Sequence, residues 1–201
     1  LFHDIGKLAK PEYFTENNID GYNRHEDLSP RMSSIVILNH VKEGLELAMK
    51  YKLPKIICDT IEQHHGKDVI SFFYQRAVDE NEDKTENVHK GDYKYPGPLP
   101  REKETVIVAL ADPCEAASRS LEKPTPSKID TLIGEILRKK IRDGHLDDAE
   151  ISVRELAIVR KSFMKTIATM MHGRIAYPKE DDEDEEDDVF KGTVRKDSEK
   201  E

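Results

Sequence analysis

Apolar residues recur three and four positions apart through most of the chain, and the alternation expected of half-buried strands is almost absent. The pattern predicts an all-α fold. Ser29-Pro30 supplies a hydroxyl cap followed by proline at the first helical position, and the stripe Val36, Ile37, Gly44, Leu47 carries that helix to about Tyr51. Pro54 opens a second helix that runs through Ile57 and Ile61 to His64-His65 and stops at Gly66. A third is predicted from about Lys67 to Glu80, with Val69, Phe72, Phe73 and Arg76 along one side. Residues 81–101 break the rhythm, because the stretch up to Asn87 is wholly polar and the Pro/Gly cluster from Tyr95 to Pro100 cannot continue a helix. A long loop, mobile in its first half, is expected there. Three further helices are predicted, from about Glu102 to Leu121, Pro126 to Arg142 and Val153 to Gly173.

Beyond Pro178 the periodicity disappears. Glu180 to Asp188 is an unbroken run of nine acids that equals the whole net charge of −9, so the rest of the chain is neutral. The expected organisation is one domain over 1–178 and a disordered acidic tail over 179–201, which has too little apolar surface to offset chain entropy. A neutral domain offers no broad basic face for duplex nucleic acid. No stretch of 18 uncharged apolar residues is present, so no transmembrane helix is predicted within the 201 residues. Cys58 and Cys114 lie in apolar helical patterns without CxxC spacing, which fits a reducing, cytosolic setting better than a disulfide framework or a zinc ribbon. The chain opens on Leu1-Phe2-His3-Asp4-Ile5-Gly6-Lys7 with no initiator Met and no signal peptide, and is read as a fragment.

Against this background certain polar residues stand at core positions. His40 follows Ile37 by three residues and Val36 by four, so it projects from the apolar stripe of its helix. Alone, it reads more readily as a core histidine satisfied by one carbonyl. His64 and His65 follow Ile61 by three and four residues and lean inward from the same stripe. Asp112 lies three and four residues after Ala109 and Val108 in an Ala-rich apolar helix, where a carboxylate is buried only if it is paired or binds metal. With His3 and Asp4, this makes four histidines and two acids directed inward, in a chain of eight histidines. Imidazole nitrogens mixed with carboxylate oxygens suit Fe, Mn or Zn. Six ligands exceed the need of one ion with an open position, so two divalent ions are inferred, with Asp4 as the bridging carboxylate.

These residues carry a family resemblance. The order His3, Asp4, His40, His64, His65, Asp112 resembles the H…HD…H…HH…D pattern of the HD-domain phosphohydrolase superfamily. Within it the chain is most similar to the cytoplasmic domain of the seven-transmembrane HD receptors, the PgpH-type cyclic-di-AMP phosphodiesterases. The supporting strings are HDIGK at 3–7, FTEN at 14–17, LSP at 28–30, NHV at 39–41, HHG at 64–66, FFY at 72–74, YPGPLP at 95–100 and EAASRSL at 115–121. The resemblance covers about residues 1–173. It implies an HD-domain helical bundle with the metal site in its core, Fe or Mn as the ions, and a cytoplasmic domain anchored to the membrane upstream. It also implies hydrolysis of cyclic-di-AMP (c-di-AMP) to linear pApA by hydroxide generated at a dinuclear centre.

Asp4 and Lys7 are the expected catalytic residues, with Lys7 as a point charge beside the phosphate. Lys7, Arg119, Tyr74 and Tyr95 are the expected substrate contacts: Arg119 lies two turns after Asp112 and could meet a second phosphate, and the tyrosines could stack on purines. Phe72 and Phe73 are assigned to core packing. Three features depart from the family pattern. Its upstream histidine precedes Leu1, Pro113 follows Asp112 where a small or aliphatic residue is expected, and GKDVISFFY replaces the Gly-Tyr-Pro motif of the HD-GYP group. The last argues against cyclic-di-GMP as substrate. The competing readings are an HD nucleotidase or triphosphohydrolase, for which His40, His64 and His65 would be surplus, and a non-catalytic nucleotide-sensing HD module.

Overall fold

The computed structural model describes residues 2–14, 17, 21–81 and 87–172. Six α-helices follow one another: α1 Pro30–Lys50, α2 Lys55–Gln63, α3 Ser71–Asp79, α4 Lys103–Ser118, α5 Pro126–Arg142 and α6 Val153–His172. Short 3-10 turns occupy Ile5–Ala9, Pro11–Tyr13, Arg24–Asp27 and Lys90–Tyr93. No strand forms among the described residues, in agreement with an all-α bundle.

The helix starts are written in local chemistry. Ser29 Oγ accepts the Met32 amide at 3.3 Å with Pro30 at the first helical position, and Thr125 and Pro126 repeat the device on α5, where Thr125 Oγ1 accepts from Lys128. At α6 the Ser152 hydroxyl accepts the Glu155 amide while the Glu155 carboxylate accepts the Ser152 amide, a reciprocal capping box. α5 ends in a Schellman turn: Gly144, at φ 71°, donates to Ile141, and His145 donates to Lys140.

Two apolar clusters flank the site. Val106, Leu110 and Cys114 of α4 pack with Ile129, Ile133 and Leu137 of α5 and with Val159 and Ile167 of α6. Phe73 and Ala77 of α3 pack with Tyr93 against Ile37 of α1. Between the two, α2 joins α1 to α4, with Ile61 fully buried and Thr60 Oγ1 at 3.2 Å from Thr105 Oγ1.

α3 begins at Ser71, four residues later than the periodicity suggests. Gly66, at φ 54°, turns the chain out of α2, and the β-branched Val69 and Ile70 pair with a distant segment instead: Val69 bridges Lys94, Ile70 donates to Tyr93 and Tyr95 donates to Asp68. Phe72 corrects a second expectation, since it is 70% exposed and only its edge meets the buried Phe73. The predicted loop after α3 is ordered by the same pairing over its second half, where Tyr93 and Tyr95 are buried. Residues 82–86 of the half expected to be mobile, and the acidic tail, lie outside the described residues.

Candidate metal centre

The His3-Asp4 turn reaches the core because two glycines let backbones meet. A Cβ at Gly6 would collide with the His40 carbonyl and the Gly44 amide, and one at Gly44 would stand 3.0 Å from Ile61 Cγ2 and 3.2 Å from the Gly6 nitrogen. The 3-10 turn Ile5–Ala9 is thereby pressed onto α1, and Asp4 is carried to His40. Asp4 Oδ1 lies 3.3 Å from His40 Nε2 and 3.6 Å from His64 Nε2; Oδ2 lies 3.3 Å from His3 Nε2 and 2.7 Å from Lys7 Nζ. His3 Nε2 is 3.8 Å from Asp112 Oδ1. The His65 ring stands 4.0 Å from that of His64 and 5.1 Å from that of His40. All six residues singled out in the sequence thus converge, from the first turn, α1, the end of α2 and α4.

Tautomers follow from the hydrogen bonds. His40 Nδ1–H donates to the Ile37 carbonyl at 2.6 Å, and His64 Nδ1–H donates to the Ile61 and Thr60 carbonyls at 2.9 and 3.1 Å. Both rings therefore turn Nε2 to the centre, the nitrogen left for a metal. Burial holds His40 down at about 4, and burial with the neighbouring His64 and His40 holds His65 well below the ordinary value, so both are neutral at physiological pH. Burial pushes the Asp4 carboxyl up, but His3, His64 and Lys7 outweigh it and keep Asp4 ionised. His3 responds in the opposite sense, raised to about 9 by Asp112 and Asp4.

The donor set fits divalent metal. Buried His3 Nε2, Asp4 Oδ1, His40 Nε2 and His64 Nε2 make no hydrogen bond of good geometry, a costly condition unless a cation satisfies them together. The ligand atoms fall into two groups, Asp4 with His40, His64 and His65, and His3 with Asp4 and Asp112, each spanning no more than 4.8 Å. Asp4 belongs to both.

On one side of the centre a cleft of about 400 Å³ is lined by His64, His65, Tyr95, Asp112, Pro113 and Lys140, among others. Tyr95 is buried and stacks on His65, with ring centroids 4.2 Å apart and planes at 21°. Lys7 sits on Asp4 and over the Phe14 ring. Arg119 does not line the cleft; it is half-exposed at the end of α4 with Nε 2.9 Å from Glu115. Tyr74 stands in an adjoining groove of about 680 Å³, beside Lys67, Lys90, Lys94 and Lys139. The two spaces share Asp68, Val69, Lys139 and Asp143 as a wall. Pro113 leaves α4 unbroken. Sequence reasoning passed over Asp68 and Lys140, although Lys140 follows Leu137 by three residues and Ile133 by seven, the criterion that picked out Asp112.

A helical bundle whose core gathers an adjacent His-Asp pair, a His from one helix, a His-His pair from the next and a distant Asp defines a class of metal-site domain. The chain belongs to the HD domain family, whose model matches residues 1–117. It is 37% identical over 177 residues, 88% of its length, to the cyclic-di-AMP phosphodiesterase PgpH of Bacillus subtilis, and 39% identical over 184 residues, 92% of its length, to PgpH of Listeria monocytogenes. It spans 24% and 25% of these two proteins, so it corresponds to about a quarter of each. The uncharacterized protein slr0104 of Synechocystis is 40% identical over 181 residues, 89% of this chain and 22% of that one. Crystal structures of the L. monocytogenes PgpH HD domain superpose with TM-scores of 0.77 alone and 0.78 in complex with cyclic-di-AMP. These are 36% and 37% identical, covering 85% and 84% of this chain and 78% and 77% of those. Among the described residues no helix is long and apolar enough to cross a membrane.

Proposed function

We propose that this chain is a metal-dependent phosphodiesterase domain that hydrolyses c-di-AMP to linear pApA. The observation that carries the reading is the convergence of His3, Asp4, His40, His64, His65 and Asp112 in two donor groups that share Asp4, with His64, His65 and Asp112 opening onto a cleft. Relatives named as c-di-AMP phosphodiesterases, and a similar domain in complex with that dinucleotide, support the choice of substrate. The two groups would hold two divalent ions, Fe or Mn, with Asp4 between them. The ions, when bound, supply the Lewis acidity that makes water nucleophilic near neutral pH and that offsets charge building on the phosphoryl oxygens.

The chain's own side chains do the rest. His40 and His64 keep Nε2 aimed inward by bonding their own helices through Nδ1. Lys7 sets the Asp4 carboxylate and adds a cation beside it. Tyr95 offers a ring face beside His65, and the lysine groove around Tyr74 suits a second phosphate and its base. Arg119 could assist a distal phosphate only by leaving Glu115. The reading extends to location: a cytoplasmic domain of a membrane-anchored protein, supported by relatives about four times its length and by the resemblance to seven-transmembrane HD receptors.

The test is initial rates on c-di-AMP, cyclic-di-GMP, bis-p-nitrophenyl phosphate and dATP with Mn²⁺ and with Fe²⁺. C-di-AMP should be preferred by about tenfold or more, because binding energy from the second phosphate and the purines positions the scissile bond. pApA should accumulate before AMP. Equal rates on dATP would favour the nucleotidase, and tight binding without hydrolysis would favour a sensor.

A further inference from the structure

His65 differs from the other two helix-borne histidines in how its ring is set. His40 and His64 are each oriented by a carbonyl of their own helix, whereas His65 makes no hydrogen bond through its ring. Its ring is held by packing, stacked on Tyr95 on one side and set against His64 and His40. Both residues hang on the backbone of Asp68: the Asp68 amide donates to the His65 carbonyl at 3.0 Å, and the Asp68 carbonyl accepts the Tyr95 amide at 2.8 Å. The Asp68 side chain is gripped in turn from α5, by the buried Lys140 ammonium on one oxygen and by His145 Nε2 at 3.1 Å on the other. The Schellman turn at Gly144 brings Lys140 and His145 side by side. His145 also packs on the Gly66 turn directly after His65, where a Cβ would lie 3.4 Å from His145 Nδ1.

We infer that Lys140 and His145 are positioning residues for His65: acting through Asp68, they lock the Tyr95 face against its ring and so hold its ligand nitrogen at the centre. This rests on the metal-centre reading above. It gives the end of α5, which supplies no ligand, a direct role in the affinity of one of the two donor groups, the one that contains His65. Partners that orient a ligand from outside typically matter by about 10- to 100-fold in metal affinity.

The experiment is metal titration of the whole chain, followed by stoichiometry and by the visible spectrum of bound Co²⁺, with thermal stability recorded in parallel. Lys140→Met should weaken one of the two ions by about 10- to 100-fold while the other, on His3 and Asp112, keeps its affinity. Lys140→Arg, which can still bond Asp68, should restore it. In a His65→Ala background Lys140→Met should add nothing further to the metal deficit, since its effect passes through that ring. Should Lys140→Met fail to fold, His145→Leu removes the second grip on Asp68 and is read in the same way. Two ions held with unchanged affinity and spectrum by a folded Lys140→Met, or additive losses in the His65→Ala background, would overturn the inference. A wild-type chain that binds no metal would overturn the metal-centre reading itself, so the two failures are distinguishable.

Discussion

Asp4 gives one oxygen to His40 and His64 and the other to His3 and Lys7, and His3 also faces Asp112, so every candidate ligand except His65 is tied into one carboxylate network. Asp4→Ala should therefore lower activity below about a tenth and reduce bound metal on both sides, because the shared ligand goes. A variant that keeps two ions and more activity than that would refute the bridging role; metal analysis beside a rate assay decides. His3 predicts a pH dependence. Raised to about 9 by Asp112 and Asp4, it is protonated at neutral pH in the metal-free protein and must lose that proton to become a ligand. Apparent metal affinity should climb as pH rises from about 6.5 toward 9 and level off above, with proton release on binding. The metal-free fold runs the other way: the His3–carboxylate contribution is complete below the unfolded value and fades as pH passes through about 9. Competition titrations at several pH values measure the first, and thermal scans of the metal-free chain the second.

At the scale of elements, the centre depends on how closely the first turn lies on α1. Gly6 has no room for a methyl group, because the atoms in the way are backbone atoms of α1 that cannot swing aside. Gly6→Ala should cost about 1–3 kcal/mol of stability and lift the His3-Asp4 turn from His40 and His64, weakening metal binding more than the stability loss accounts for. Chemical denaturation and metal titration on the same sample separate the two effects. The pattern made most of the elements visible: Ser29-Pro30, Pro54 and Pro126 mark helix starts, and α5 runs over the predicted residues. It misjudged residues 67–70, where a helical reading of Val69 competes with extended pairing to Lys94, a partner 25 positions away.

For the whole molecule, the acidic run concentrates the net charge in one segment that carries almost no apolar residues. Removing residues 179–201 should leave the melting temperature and the hydrolysis rate nearly unchanged, since a self-repelling acidic segment has little to pack with. A large drop in melting temperature on truncation would show that the segment docks. The domain itself is held from both sides of the site, by the α4–α5–α6 cluster and by the smaller α1–α3 cluster. The cleft lies at the seam where Asp112 of α4 faces His64 and His65 at the end of α2.

Helical spacing was enough to read off the fold class and His40, His64, His65 and Asp112, and the adjacent pair His3-Asp4 stood out beside them, because all are local properties: an apolar stripe repeats within four residues, and a carboxylate or imidazole on it stands out. Asp112 on the face of Ala109 and His40 on the face of Val36 were legible for this reason. Pairings between distant parts of the chain were not. Lys140 meets Asp68 across 72 positions, Tyr95 closes on His65 only after residues 93–95 pair with 68–70, and Tyr74 turns into the lysine groove and not into the metal cleft. Arg119, on a helical phase that suggested the cleft, is drawn to Glu115 one turn before it. Such contacts depend on how finished helices dock, and that docking is set by the shapes of many side chains at once, which no periodicity along the chain encodes.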